Sequence, residues 1–224
     1  MVEQHPLPNL IAEELRKRIW SGEWEWDQRI AEQSVATEFA VSRTALREAL
    51  KTLEADGLVI MRPRRGTFVR SFTTEDLYAL GETRIILEGF AFRMAIQHAA
   101  EETRRELSAI IREMEEASVQ DHWESLLDAD LRFHRTVVSA CGNPLVTHFY
   151  ESIQGQIRMV FARFRFEYPN PRLLSIEHQI LLSSIESADE STAVENLTAH
   201  IQDGTKRLVG RFRDALPHPE EIGR

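Results

Sequence analysis

The sequence predicts a mainly α-helical chain in two parts, an N-terminal winged helix-turn-helix and a C-terminal antiparallel all-α bundle. Three observations carry this. At 224 residues the chain exceeds the usual size of one domain. The only β-like runs lie between residues 58 and 69, behind three helical stretches. From Thr73 onward the apolar period is 3.6, and no strand signal follows residue 70.

Leu10, Ile11, Leu15 and Ile19 recur at helical spacing until Gly22, and a second helix is expected from about Ala31 to Phe39. After a tight turn at Ala40-Val41, Ser42 is placed to cap a third helix that turns Ala45, Leu46, Ala49, Leu50 and Leu53 inward. Asp56-Gly57 ends it. The runs Leu58–Met61 and Thr67–Val69, joined by Arg62-Pro63-Arg64-Arg65-Gly66, read as a hairpin with a basic tip.

Thr73-Thr74-Glu75-Asp76 supplies a cap and an acidic first turn for the first of six further helices, expected near 74–99, 102–119, 122–141, 144–167, 172–187 and 190–214. Residues 1–70 are therefore assigned to the winged helix, 71–73 to a linker, 74–216 to the bundle and 217–224 to a frayed tail.

One cysteine, Cys141, excludes an internal disulfide framework and suits a reducing cytosol. The opening residues hold no apolar segment of signal-peptide length, and nowhere do 18 apolar residues run together. Neither a secretory leader nor a membrane partner is expected, and the location predicted is cytoplasmic.

The net charge of −9 speaks at first against nucleic acid. Its distribution reverses that inference. Residues 1–70 hold 11 basic and 11 acidic residues, so the bundle carries the whole excess. Between 43 and 70, seven basic residues face only Glu48, Glu54 and Asp56, and such a patch is the footprint of a DNA-binding element.

A helix-turn-helix followed by a basic hairpin places one helix in the major groove and a wing on the backbone or minor groove. The third helix opens Ser42-Arg43-Thr44-Ala45-Leu46-Arg47. Arg43 and Arg47 share a face; a guanidinium can bind the O6/N7 edge of guanine twice, and hydroxyls suit phosphates. Arg64, Arg65 and Gly66 would supply the wing contacts to double-stranded operator DNA. The competing reading is a solvated face paired with Glu48 or other acids. The helix alone does not separate the two; the helix with its wing favours DNA.

In the bundle, Asp130 and His134 lie one turn apart, about 6 Å on a helix face. His178 lies 11 residues before Asp189 and His200 lies 11 after it, at matching heights of an antiparallel hairpin. One carboxylate and three imidazoles can thus converge, a set that suits zinc first, with nickel, manganese or iron as alternatives, and leaves coordination positions open. The alternative is histidines scattered through core and surface, as assumed for His5, His98, His122, His148 and His218. Spacing alone favours that alternative, because guessed turns are forgiving.

Arg84 falls on the stripe Leu77, Leu80, Arg84, Leu87, Ala91, Met94 of a helix apolar nearly all round, and a buried guanidinium needs an anion. Glu88, one turn away, and a bound carboxylate effector remain equal candidates. Arg158 is a weaker effector candidate, on a polar stripe with Glu151, Gln154 and Arg165. Trp20, Trp24, Trp26 and Trp123 read as packing residues.

Two stretches resemble known families. Ala31-Glu32, Phe39 to Leu50, Leu53-Glu54, Gly57-Leu58-Val59 and Arg65 to Val69 resemble the GntR-family winged helix. That resemblance implies that Arg43, Thr44 and Arg47 read or grip the operator with Gly66 at the wing; Gln33 stands where some relatives place a basic DNA-contacting residue. Asp130 to His134, Gly142 to Leu145, Glu177-His178, Ile185, Asp189, Ala193 and His200 resemble the FCD ligand-binding domain of the FadR subfamily, and six helices point to its VanR-like branch. The resemblance implies a divalent metal on Asp130, His134, His178 and His200, an arginine in the Arg84 helix that clamps a small carboxylate, and a homodimer whose recognition helices meet two half-sites. A repressor rather than an enzyme is expected. Two rivals stay open: a repressor for which the metal itself is the signal, and a metalloenzyme fused to a DNA-binding module.

Overall fold

The computed structural model describes residues 7–98, 100–163, 170–187 and 189–215. The expected tail, His5, His218, Arg165 and the expected end of the helix near 167 lie outside these residues. The chain forms two compact units, residues 1–71 with 152–163, and residues 72–151 with 164–224.

In the first unit, α1 (Leu7–Trp20) packs on α3 (Arg43–Ala55), and α2 (Glu32–Glu38) leads into α3 through a turn with Ala40 at φ 52°. Ser42 caps α3 as its spacing predicts, its Oγ accepting from Ala45 N at 3.1 Å. Leu46, Ala49, Leu50 and Leu53 face the core with Leu15 and Leu58, and all six are fully buried. Burying a leucine side chain is worth about 1.5–3 kcal/mol, so this small cluster fixes the pose of α3. The hairpin β1 (Val59–Arg62) and β2 (Gly66–Val69) pairs Val59 with Val69 and Arg62 with Gly66, and Arg29 bridges to Phe68 beside it. Trp20 Nε1 donates to Gly155 O at 3.3 Å within this unit.

The second unit holds α4 (Thr74–His98), α5 (Glu101–Val119), α6 (Trp123–Ser139), the first turns of α7 (Pro144–Arg163), α8 (Arg172–Glu186) and α9 (Glu190–Ala215). Thr73 and Asp76 cap α4 reciprocally: Thr73 N donates to Asp76 Oδ2 at 2.8 Å, and Asp76 N to Thr73 Oγ1 at 3.2 Å. Helix α4 lies along α9 and α6, and α5 packs on α6 and α8. Gly81 permits the α4–α9 approach, since a Cβ there would stand 2.5 Å from Thr205 Oγ1. Phe92, Leu107, Met114, Leu126 and Phe133 make the core, with Trp123 packed against it. No helix of the described residues is long and apolar enough to cross a membrane.

Candidate metal centre and DNA-facing groove

The bundle core carries a polar cluster where an apolar layer would be expected. Asp130 and His134 project from α6, His178 from α8 and His200 from α9. One ligand atom from each falls within 4.8 Å of the others. His178 Nε2 lies 3.2 Å from Asp130 Oδ1 and 3.3 Å from His134 Nε2.

The opposite edge of each imidazole decides what the inner edge can do. His178 Nδ1 lies 2.8 Å from Leu174 O, and His200 Nδ1 lies 2.9 Å from Glu177 Oε2. His134 Nδ1 is 2.7 Å from Glu88 Oε2, close but off the axis of a well-aligned hydrogen bond. Each Nδ1 lies near an acceptor, which favours the Nδ1–H tautomer; in that tautomer the Nε2 lone pairs of His134 and His178 face one another. Lone pairs 3.3 Å apart in a buried site repel, and a cation among them removes the repulsion. The residues present fit a divalent metal.

Burial and charge compete throughout this cluster. Burial would raise the Glu88 carboxyl, but Arg84 and then His134 outweigh it and hold Glu88 down to about 2. Burial also opposes ionisation of Asp130, yet the close His178 imidazole and then His134 and His200 keep it below the ordinary carboxylate range. Burial lowers His200 to about 4 despite the Glu177 carboxylate, so its ring is neutral at pH 7, as a metal ligand must be.

Arg84 and Glu88 are buried together, Arg84 Nε donating to Glu88 Oε1 at 2.7 Å. Of the two anions left open for Arg84, the structure supplies Glu88. The helix stripe is also narrower than its sequence suggested: Leu77, Gly81, Arg84, Glu88 and Ala91 are buried, whereas Tyr78, Ile86 and Phe90 are exposed. Tyr150, on the first turns of α7, is fully buried, and its hydroxyl has no hydrogen-bond partner among the described residues. Burial raises its pKa, and the charges of Glu88 and Asp130 act in the same direction. Arg158 belongs to the first unit. Its guanidinium lies 4.7 Å from the centre of the Trp20 ring, within the first unit.

The first unit presents a groove of about 800 Å³ between α3 and the hairpin. Arg43, Arg47 and Arg64 line it, and so do Arg29, Glu32, Gln33 and Lys51. Thr44 is exposed at the same end of α3, and Ser42, whose oxygen caps the helix, keeps its hydroxyl proton for an outside acceptor. At the wing tip Arg64 has φ 61° and Gly66 φ +100°, the latter a conformation that suits glycine alone. A Cβ on Gly66 would stand 3.2 Å from Arg29 Nε. Arg65 lies 6.0 Å from the Phe68 ring centre. Arg47 pairs with Glu32 at 3.0 Å, while Glu48 pairs with Lys51. Arg29, Glu32, Lys51, Glu177 and Tyr150 were not among the expected site residues, although Lys51 counts in the basic patch between 43 and 70, and Glu32 and Glu177 stand in the stretches that carry the family resemblance.

Comparison with known proteins now adds the family. The model of the bacterial regulatory proteins of the gntR family matches residues 8–69, and that of the FCD domain matches residues 79–203. The chain belongs to the GntR family of transcriptional regulators, with an FCD domain. The Nta operon transcriptional regulator of Aminobacter aminovorans is 30% identical over 84% of this chain and 88% of its own length. The gluconate operon transcriptional repressor of Bacillus subtilis is 24% identical, over 86% of this chain and 81% of its own. A crystal structure of a GntR regulator from Rhodococcus sp. RHA1 shares the fold, with a TM-score of 0.76 at 23% identity, covering 91% of this chain and 97% of that one. The GntR chain is thus a regulator, and the metalloenzyme alternative is set aside.

Proposed function

We propose that the protein is a cytoplasmic homodimeric repressor that releases operator DNA when a small carboxylate binds at a metal held in its bundle. Arg43, Thr44 and Arg47 would read or grip the operator, with Ser42 at the phosphate edge and Arg64, Arg65 and Gly66 at the wing. Asp130, His134, His178 and His200 would hold the metal, zinc first. When bound, the metal supplies open coordination positions for a carboxylate oxygen. The exposed Tyr78, Ile86 and Phe90 of α4 are suited to a subunit contact.

The observation that carries the sensing half is the convergence of the three histidines with Asp130, each Nδ1 near an acceptor and one ligand atom of each residue within 4.8 Å of the others. The named relative of the gluconate operon favours a sugar acid, itself a small hydroxycarboxylate, as the effector class. For the effector to act, it must bind the DNA-competent and released states with different free energy, typically by ~1–3 kcal/mol.

A second reading has its own support. Arg84 is committed to Glu88, which favours a regulator for which the metal itself is the signal. One titration separates them. Duplex binding is measured with zinc-loaded protein, with and without D-gluconate and related sugar acids, and again with metal-free protein. Release by a sugar acid only when metal is present supports the first reading. Binding that follows zinc alone supports the second. Absence of stoichiometric metal after zinc dialysis would sink both.

A further inference from the structure

A carboxylate in a groove built to face phosphates is electrostatically misplaced. Glu32 is such a group: it lines the groove beside Arg29, Arg43 and Lys51, and its side chain is only 17% exposed. Both of its oxygens are occupied. Oε2 accepts from Arg47 Nε at 3.0 Å, and Oε1 accepts from Thr67 Oγ1 at 3.0 Å. Thr67 is itself buried on β2, and its carbonyl accepts from Ile30 N at 2.9 Å. The first residue of α2 thus ties the middle of α3 to the wing strand.

We infer that Glu32 is a positioning residue for sequence readout, fixing which edge of the Arg47 guanidinium meets DNA. The inference rests on the proposed reading of α3 as the recognition helix. Arginine carries five N–H donors, one on Nε and two on each Nη. Two-bond recognition of guanine can use Nε with one Nη, or both Nη nitrogens end-on. With Nε engaged by Glu32, only the end-on pair is left, and that pair has no partner among the described residues. Arg47 is 61% exposed, so without the tether its long side chain samples many rotamers. Glu32 therefore trades general attraction to DNA for a fixed guanidinium. When the carboxylate is removed, positioning predicts a loss of specificity, whereas plain charge predicts tighter binding with specificity unchanged.

The test uses the full-length protein and a duplex selected by the wild type from a randomised library. Wild type, Glu32→Ala, Glu32→Gln, Thr67→Val and Arg47→Ala are titrated against the selected duplex and a scrambled duplex of equal length, at one salt concentration. Glu32→Ala should bind the scrambled duplex more tightly, having lost a negative charge. Its preference for the selected duplex should fall about tenfold, within the range for one bidentate base contact, with the loss centred on the base pair that Arg47→Ala also relaxes. Glu32→Gln, with a single acceptor oxygen for two donors, should fall between, and it stands in if the alanine variant does not fold. Thr67→Val should lower the preference less than Glu32→Ala. A preference unchanged in both Glu32 variants, with both duplexes bound more tightly, overturns the inference and leaves Glu32 a local charge. If Arg47→Ala also keeps the full preference, it is the assignment of α3 that fails.

Discussion

Glu88 is shared: its Oε1 accepts from Arg84 Nε at 2.7 Å, and its Oε2 lies 2.7 Å from His134 Nδ1. A single buried carboxylate therefore links the cation of α4 to a metal-ligand candidate of α6. Groups that orient metal-bound histidines typically change metal affinity about 10–100-fold when removed.

Glu88→Gln tests that link. The amide keeps the shape but loses the charge that holds both neighbours, and Arg84 is left as an uncompensated buried cation. Metal affinity, measured by competition with a chelator, should fall at least tenfold. Breaking the buried pair should also cost about 3–5 kcal/mol of metal-free stability. Unchanged metal affinity in a folded Glu88→Gln protein would show that the contact with His134 orients nothing.

Metal removal should be visible as lost stability. A site that exists only in the folded chain stabilises it by about 2.7 kcal/mol at one hundred times Kd. For a chain of this size that corresponds to about 5–10 °C in melting temperature. Zinc should raise the melting temperature of chelator-treated wild type by that amount, and should leave His178→Ala unmoved. An equal zinc response in His178→Ala would mean that the ion binds elsewhere.

These tests fall on residues of unequal legibility. The winged helix was readable because its signals are local: Ser42 as a cap, the inward leucines of α3, and a basic turn between two short apolar runs. Asp130 and His134 were readable for the same reason, being one turn apart. Bringing His178 and His200 to them needed a count across turns that the Asp189 hairpin made possible but did not decide; the resemblance to the FCD domain decided it. Glu88 was visible as an i+4 partner of Arg84, but its contact with His134 crosses between helices and left no local trace. Glu32 is similar, 15 residues from Arg47 and 35 from Thr67. Arg158 shows the converse. Its place on the helix was legible, but its ring partner was not: the guanidinium lies over Trp20, within the first unit.

The pH dependence of the metal-free protein follows from His200. Burial lowers this imidazole to about 4, against about 6.5 in an unfolded chain. Between those values the unfolded chain binds a proton that the folded one does not, so stability must fall as pH drops from about 6.5 to about 4. The full span is worth about 3 kcal/mol. Glu88, held at about 2, acts in a lower window: its contribution is complete above about 4.5 and is lost only as pH falls toward 2. Urea unfolding of chelated protein at pH 7, 5.5 and 4.5 should show the decline, and His200→Gln should flatten it. A wild-type profile level from pH 7 to 4.5 would contradict the assignment of a neutral, buried His200.

Tyr150 offers the last test, because its hydroxyl is fully buried and has no hydrogen-bond partner among the described residues. Removing a satisfied buried hydroxyl costs about 0.5–1.5 kcal/mol, whereas removing an unsatisfied one is neutral or favourable. Tyr150→Phe should therefore be as stable as wild type, or more so, when free of metal and ligand. The phenol lies in the field of Glu88, Arg84 and Asp130, and its raised pKa keeps it a neutral donor. A carboxylate bound at the metal would bring the acceptor that Tyr150 lacks. In the proposed mechanism, Tyr150→Phe keeps its zinc-induced rise in melting temperature but loses about tenfold in affinity for whichever sugar acid releases the wild type from DNA, the effect of one lost hydrogen bond of about 1.4 kcal/mol. Equal sugar-acid affinity in the two proteins would exclude the hydroxyl from the effector site. A clear loss of ligand-free stability would mean that the hydroxyl is already paired within the folded bundle.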